Sequence, residues 1–178
     1  MRLRTLLLAS LVIPAAPALA QDAEAAVEES GQPIIVTGSR RADRTVGDSA
    51  VPIDVIGAEQ LQNSGLTETA RLLRDLVPSL NFPQPSITDG TDVIRPATLR
   101  GLGADQTLVL INGKRRHVSA LLNINGSVGR GTQAVDLNFI PSSAIRQVEV
   151  LRDGAAAQYG SDAIAGVINF QLNNASQG

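Results

Sequence analysis

Residues 145–172 read IRQVEVLRDGAAAQYGSDAIAGVINFQL, and the division of that stretch decides the fold. Ile145 to Leu151 (IRQVEVL) predicts a strand. Asp153-Gly154 marks a turn. Ala155 to Tyr159 has room for one helical turn, and Gly166 to Leu172 (GVINFQL) predicts a last strand. Toward the N-terminus, residues 119–144 carry Gly126, Gly129, Gly131 and Pro141 and read as a long loop. Before them, Thr107 to Ile111 (TLVLI) predicts a strand and Arg115 to Val118 its return. Asn112-Gly113 between them tolerates the positive φ values of a type I′ hairpin turn.

Residues 79–96 hold Pro83, Pro85 and Pro96 and form a second irregular stretch, of a length that is often functional in a compact domain. Leu66, Ala70, Leu73 and Val77 share one helical face. Glu68 in the first turn and Arg74 in the last suit the helix dipole, and Pro78 stops the helix. Val51 to Ile56 (VPIDVI) predicts a strand that Gly57 ends, and Ile34 to Thr37 a short β-prone segment closed by Gly38-Ser39. The fold class is α+β: a small mixed sheet of short strands, one main helix and long loops.

The 178 residues are 43% hydrophobic but include three Phe, one Tyr and no Trp, so the core must be aliphatic. Absence of Cys excludes disulfides, thiol nucleophiles and Cys-based metal sites. A single histidine, His117, excludes two-histidine metal motifs and reads as a hairpin-edge surface residue. A net charge of -2 provides no basic footprint for nucleic acid. Ser39, Ser142 and Ser161 lack the G-x-S-x-G elbow, and Gly101-x-Gly103 lacks the third glycine of a dinucleotide fingerprint. The expectation is no enzyme: no catalytic, metal-binding or cofactor-binding residue is assigned.

Residues 1–20 have the pattern of a signal peptide: basic Met1-Arg-Leu-Arg, an apolar run from Thr5 to Ile13, and the small-residue cleavage site Ala18-Leu19-Ala20. Its removal takes away Arg2 and Arg4 and no acids, leaving 13 basic against 17 acidic residues. Residues 21–32 read as a flexible acidic arm, residues 33–172 as the domain, and residues 173–178 as a tail. Later apolar runs are far shorter than the ~20 residues of a spanning helix.

From Leu99-Arg100-Gly101-Leu102-Gly103 and Val148 onward, the chain resembles the plug domain of TonB-dependent outer-membrane receptors. Ile34-Ile35-Val36-Thr37-Gly38-Ser39-Arg40 resembles the motif that opens many such plugs. Val51 to Ile56, Leu72 to Pro78 and Leu108 to Arg115 resemble its first strand, its helix with a proline stop, and its central "VLLDGxR" turn. Val148 to Phe170 is similar to "VEVxxGPxSxxYGxxAxGGVINI", with Ala155, Ala157 and Ala165 in place of Pro, Ser and the first Gly. The resemblance spans residues 33–172.

The resemblance implies a plug inside a barrel of about 22 strands, at the outer membrane or on its periplasmic side. It implies energised uptake of a scarce small solute such as a ferric siderophore, powered through the C-terminal domain of TonB. That barrel is absent from this chain, so the expectation is a receptor's leader and plug, with a barrel-less periplasmic module that binds TonB or a ligand as the alternative. Ile34, Ile35, Val36 and Thr37 are the candidates for TonB contact, by adding a strand to a partner sheet. The open alternatives are an ordinary first strand for that segment, and the acidic arm Ala23 to Val27 as the contacting segment. Arg100, Arg115, Glu149 and Arg152 are the singled-out polar residues. The arginines of the LRG and VLRDG segments either meet acids of the barrel wall through guanidinium forks or pair with Glu149 or another plug acid. Gly101, Gly103, Gly154, Gly160 and Gly166 match family glycines, Asn169 lies in the last strand, and Tyr159 reads as a packed amphipathic anchor. Loops 79–96 and 119–144 are the solute candidates, and the domain's outer surface is expected to be polar.

Overall fold

The computed structural model describes residues 37, 45–49, 51–63, 68–86, 88, 92–124, 129–153 and 155–173. The expected leader, the acidic arm, Ile34, Ile35, Val36, Leu66, Gly154 and residues 174–178 lie outside them.

Among the described residues, five strands form a mixed sheet. They are β1 (Ile53–Gly57), β4 (Thr107–Ile111), β5 (Lys114–Arg115), β6 (Ile145–Leu151) and β7 (Gly166–Leu172), in the order β1-β6-β7-β4-β5. β6 runs antiparallel to both β1 and β7, while β4 runs parallel to β7 and antiparallel to β5. A second, two-stranded sheet pairs β2 (Leu80–Asn81) with β3 (Thr98–Leu99). These two strands close off the proline-rich stretch that the sequence reads as wholly irregular. Their partners are 17 to 19 residues apart along the chain, so no local pattern announces them.

The helical region after β1 divides into α1 (Ala58–Asn63) and α2 (Thr69–Leu76). Ala70, Leu73 and Val77 are buried as the periodicity requires, and Leu72 widens the face. Glu68 is not in the first turn but at the cap, in extended conformation. There its carboxylate lies 2.8 Å from Arg71 and 3.2 Å from Arg95. The Thr69 hydroxyl donates to the Ile140 carbonyl at 2.6 Å, fastening α2 to the loop before β6.

Strand alternation divides the sheet's side chains between two faces. Val148 and Val150 of β6, Ile168 and Phe170 of β7 and Val109 of β4 pack against Leu61 of α1 and Leu72 and Leu73 of α2. On the other face Ile53, Leu108, Leu110, Leu151 and Val167 pack against Ala155 and Ala163, which flank α3 (Ala156–Tyr159). Tyr159 lies against this second cluster, partly buried.

Asn112 and Gly113 have φ values of 49° and 75°, as a type I′ turn demands. The turn is also fastened to β7: Asn112 N–H donates to the Phe170 carbonyl at 2.8 Å, and Leu172 N–H to Asn112 Oδ1 at 2.9 Å. Gly166 enters β7 at φ 143°, and a Cβ there would overlap the Leu151 carbonyl oxygen and Leu99 Cδ2. Backbone strain and overlap each cost about 1–3 kcal/mol. Gly166→Ala should therefore lower the unfolding free energy by about 2–4 kcal/mol, measured in urea; an unchanged midpoint would contradict this geometry.

Candidate functional site

The most distinctive group of side chains lies at the middle of β6. Gln147 and Glu149 project from the same face of β6, and register places Asn169 of β7 opposite Glu149 and Gln171 opposite Gln147. Four polar side chains thus form one band on a sheet face that elsewhere carries aliphatic residues. Glu149 and Asn169 are fully buried. A buried carboxylate needs several donors to offset the loss of water. Glu149 Oε1 accepts from Gln147 Nε2 at 3.0 Å and from Gln171 Nε2 at 3.3 Å. Its Oε2 accepts from the backbone N–H of Thr37 at 2.8 Å and from the Thr37 hydroxyl.

Thr37 is 112 positions away along the chain and is itself buried. The last residue of the β-prone motif is therefore seated on the central strand pair, its backbone donor already used. Asn169 Oδ1 accepts from Gly113 N–H at 3.1 Å, which ties the hairpin turn to the same band, while Asn169 Nδ2 has no hydrogen-bond partner.

The arginines lie elsewhere. Arg100 has a left-handed φ of 58°, uncommon for a side-chain-bearing residue, with Gly101 following at 76°. The turn they form is closed by Leu102 N–H donating to the Leu99 carbonyl at 3.1 Å. Arg100 Nη1 donates to the Arg152 carbonyl at 2.8 Å and lies 3.4 Å from Asp153 Oδ1. Arg152 Nε lies 3.0 Å from Asp54 Oδ2, close enough for an ion pair, although its N–H is not aimed at that oxygen. The acids that meet Arg100 and Arg152 are Asp153 and Asp54, while Glu149 accepts from Thr37, Gln147 and Gln171. Arg115 pairs with Asp162 and donates to the Tyr159 carbonyl at 3.0 Å, clasping the α3 region to β5. Gly160 caps α3 at φ 93°.

The two long loops are anchored at their bases. Arg95 donates to Glu68 and to the carbonyls of Asp92 and Ile94, and its own N–H donates to Asp136 Oδ1. In the second loop Ser119 N–H donates to the Ala134 carbonyl and Asn123 N–H to that of Thr132. A cleft of about 570 Å³ opens between this loop and β4, with Arg115, Arg116, His117, Val118 and Asp162 in its wall. Several apolar side chains are exposed singly. Phe139 is 74% exposed and Val93 67%, and Val118, Leu122 and Ile124 are also exposed. These side chains lie in loops or short turns with nothing from α1, α2 or the sheet to cover them. Among the described residues, no group of three His, Asp or Glu side chains is placed to hold a metal ion, and no helix is long and apolar enough to cross a membrane.

Glu149, Asn169 and Arg115 were visible in the sequence, but the join between Glu149 and Thr37 was not. Its signal is the polar i, i+2 pair on each of two strands, Gln147 with Glu149 and Asn169 with Gln171. Arg95 carried no motif that would single it out.

The family described as TonB-dependent Receptor Plug Domain matches residues 45–167, more than half of the chain. The chain is 30% identical over 155 residues to a probable TonB-dependent siderophore receptor, PirA, of Acinetobacter baumannii, covering 84% of this chain and 20% of that one. It is also 30% identical over 160 residues to the vitamin B12 transporter BtuB of Photobacterium profundum, covering 90% and 24%. Among solved structures, a point mutant of the ferric enterobactin receptor PfeA of Pseudomonas aeruginosa, in complex with enterobactin, superposes with a TM-score of 0.55 at 28% identity, covering 70% of this chain and 18% of that one. The chain thus spans about a fifth to a quarter of the length of these relatives. Plugs of this kind are transport and binding modules rather than enzymes, and they work at the outer membrane and its periplasmic side. With the matching family region covering β1, β4, β5, β6 and the first two residues of β7, the chain belongs to the TonB-dependent receptor plug domain family.

Proposed function

We propose that the chain is the plug of an outer-membrane receptor for energised uptake of a scarce, bulky solute of the ferric siderophore kind. The match of the plug family across residues 45–167 carries this reading. The relatives named for a siderophore and for vitamin B12 support a bulky solute, since the chain is equally identical to both. In this reading residues 1–20 are the exported leader, residues 21–32 the periplasmic arm, residues 33–172 the plug, and the plug sits within a barrel of about 22 strands.

Ile34, Ile35, Val36 and Thr37 are the segment that TonB's C-terminal domain takes up by strand addition, in which backbone hydrogen bonds provide the affinity. Contact with Glu149 occupies the Thr37 N–H, so TonB and β6 compete for the same donor. Arg100 and Arg152 hold surface acids of the plug while remaining about 40% exposed at the side chain. Their free N–H groups are available to carboxylates on the inner wall of the barrel.

Calorimetry of the full chain against TonB's C-terminal domain should register binding. Val36→Pro deletes a backbone donor and should weaken binding at least about tenfold, while Val36→Ala should change it little. No heat of binding at high micromolar concentration would contradict the reading. For the arginines, Arg100→Ala and Arg152→Ala should each cost the isolated chain about 1 kcal/mol or less, because pairs this exposed are screened. A loss of several kcal/mol would make both arginines internal supports and count against a role at the barrel wall.

A further inference from the structure

The cleft beside β4 holds side-chain donors that the chain itself does not use. β5 pairs only with Leu110 and Ile111 of β4, and Arg116 N–H donates to the Val109 carbonyl at 2.9 Å. Toward Thr107, the outer edge of β4 has no strand beside it among the described residues. There the cleft of about 570 Å³ opens against Gly131, Thr132 and Gln133 of the second loop, a volume in the range of small-molecule sites. Leu108, Val109 and Val135 give it a buried aliphatic floor. Its acids are engaged or turned away. Asp162 is paired with Arg115, and Asp105 folds back over Gly103, where a Cβ would meet its carboxylate. Its donors are not. Arg116 is half-buried in the wall, and among the described residues no carboxylate pairs with its guanidinium. His117 and Gln133 in the same wall also have no side-chain partner among the described residues. A guanidinium drawn partly out of water needs acceptors, and the wall supplies none.

We infer that this cleft takes a carboxylate-rich solute, a hydroxycarboxylate or its metal chelate, with Arg116 as the residue that grips it. The guanidinium fork donates two parallel hydrogen bonds to one carboxylate. His117 and Gln133 supply N–H donors for a second carboxylate or a hydroxyl. The aliphatic floor excludes water beneath these contacts and strengthens them. A catecholate solute fits the cleft less well. Aromatic rings draw affinity from stacking on other rings, and no aromatic side chain is among the described residues of the wall. The inference names a solute class within the proposed uptake function, and it rests on the reading of the second loop as a part of the plug that meets the solute.

Titration of the full chain with citrate at constant ionic strength tests it, read from the backbone amide NMR shifts of Arg116, His117, Gly131 and Gln133 against Val150 and Ile168 as distant monitors. The shifts in the cleft should saturate with a dissociation constant of about 1 mM or below while the monitors stay still. Arg116→Gln should weaken binding at least about tenfold. Arg116→Lys, which keeps the charge but not the fork, should weaken it at least about threefold, and it serves where the glutamine variant does not fold. Arg146→Gln, on an exposed residue of β6 outside the cleft wall, should change nothing. Catechol should not displace citrate. Acetate and inorganic phosphate each offer one anionic group and should bind at least about tenfold more weakly than citrate. Equal binding of either would mean a site for a single anion, such as a carboxylate of surrounding protein, and would overturn the solute assignment. Displacement by catechol would overturn the solute class. No saturation at about ten times the expected constant, or an equal loss in Arg146→Gln, would also overturn the site. TonB takes no part in this titration. Its failure would leave the plug reading on its family match, and failure of TonB binding would leave the cleft standing.

Discussion

The antiparallel pairing of β6 with β7 is the constraint on which the rest of the sheet depends. β1 attaches to one strand of the pair, β4 to the other, and β5 hangs from β4. Both faces of the pair are covered, one by α1, α2 and the small second sheet and the other by the region around α3. Such a pair is normally filled with aliphatic side chains, as Val148, Val150, Val167 and Ile168 are here. Its polar band is the exception. Replacing a buried charge with apolar groups is often neutral or stabilising, so stability alone does not account for Glu149.

A polar seat differs from an apolar one in what happens when its occupant leaves. Uncovered aliphatic surface costs about 25 cal/mol for each Å² returned to water, whereas amide and carboxylate groups can be satisfied by water or by one another. The band therefore places the contact between Thr37 and Glu149 beside an apolar core on the other face of the strand pair. The arginine pairs follow the same logic at the surface. Arg100 and Arg152 lean on Asp153 and Asp54 in contacts open to solvent, and exchanging these partners for other carboxylates changes little in the plug. The exposed Phe139, Val93 and Val118 suit a domain that, in the proposed receptor, is surrounded by further protein.

Much of the fold was legible because its signals are local. β4, β6 and β7 occupy the expected residues, since each is a short apolar or alternating run bounded by turn residues. Asn112-Gly113 announced its own turn, and Pro78 lies just beyond the C-cap of α2. The features that were hidden depend on distant partners. β2 and β3 are each two residues long and exist through each other. Two helices replaced one expected helical region, because the apolar periodicity of α2 does not extend back to Ala58. Glu149 in VEV alternates with two valines, and alternation alone assigns it to a solvent face. Only the register with β7 and the arrival of Thr37 from 112 residues away make that face an interior.

The contact of Thr37 with Glu149 joins residues 112 positions apart, and a double-mutant cycle measures it most directly. Thr37→Val, Glu149→Gln and the double variant of the full chain would be compared by urea unfolding. The account predicts a coupling of about 1 kcal/mol or more, since the hydroxyl and the carboxylate act as one unit. Effects that add to within about 0.3 kcal/mol would mean that the two residues are independent, and the seat would not exist as described.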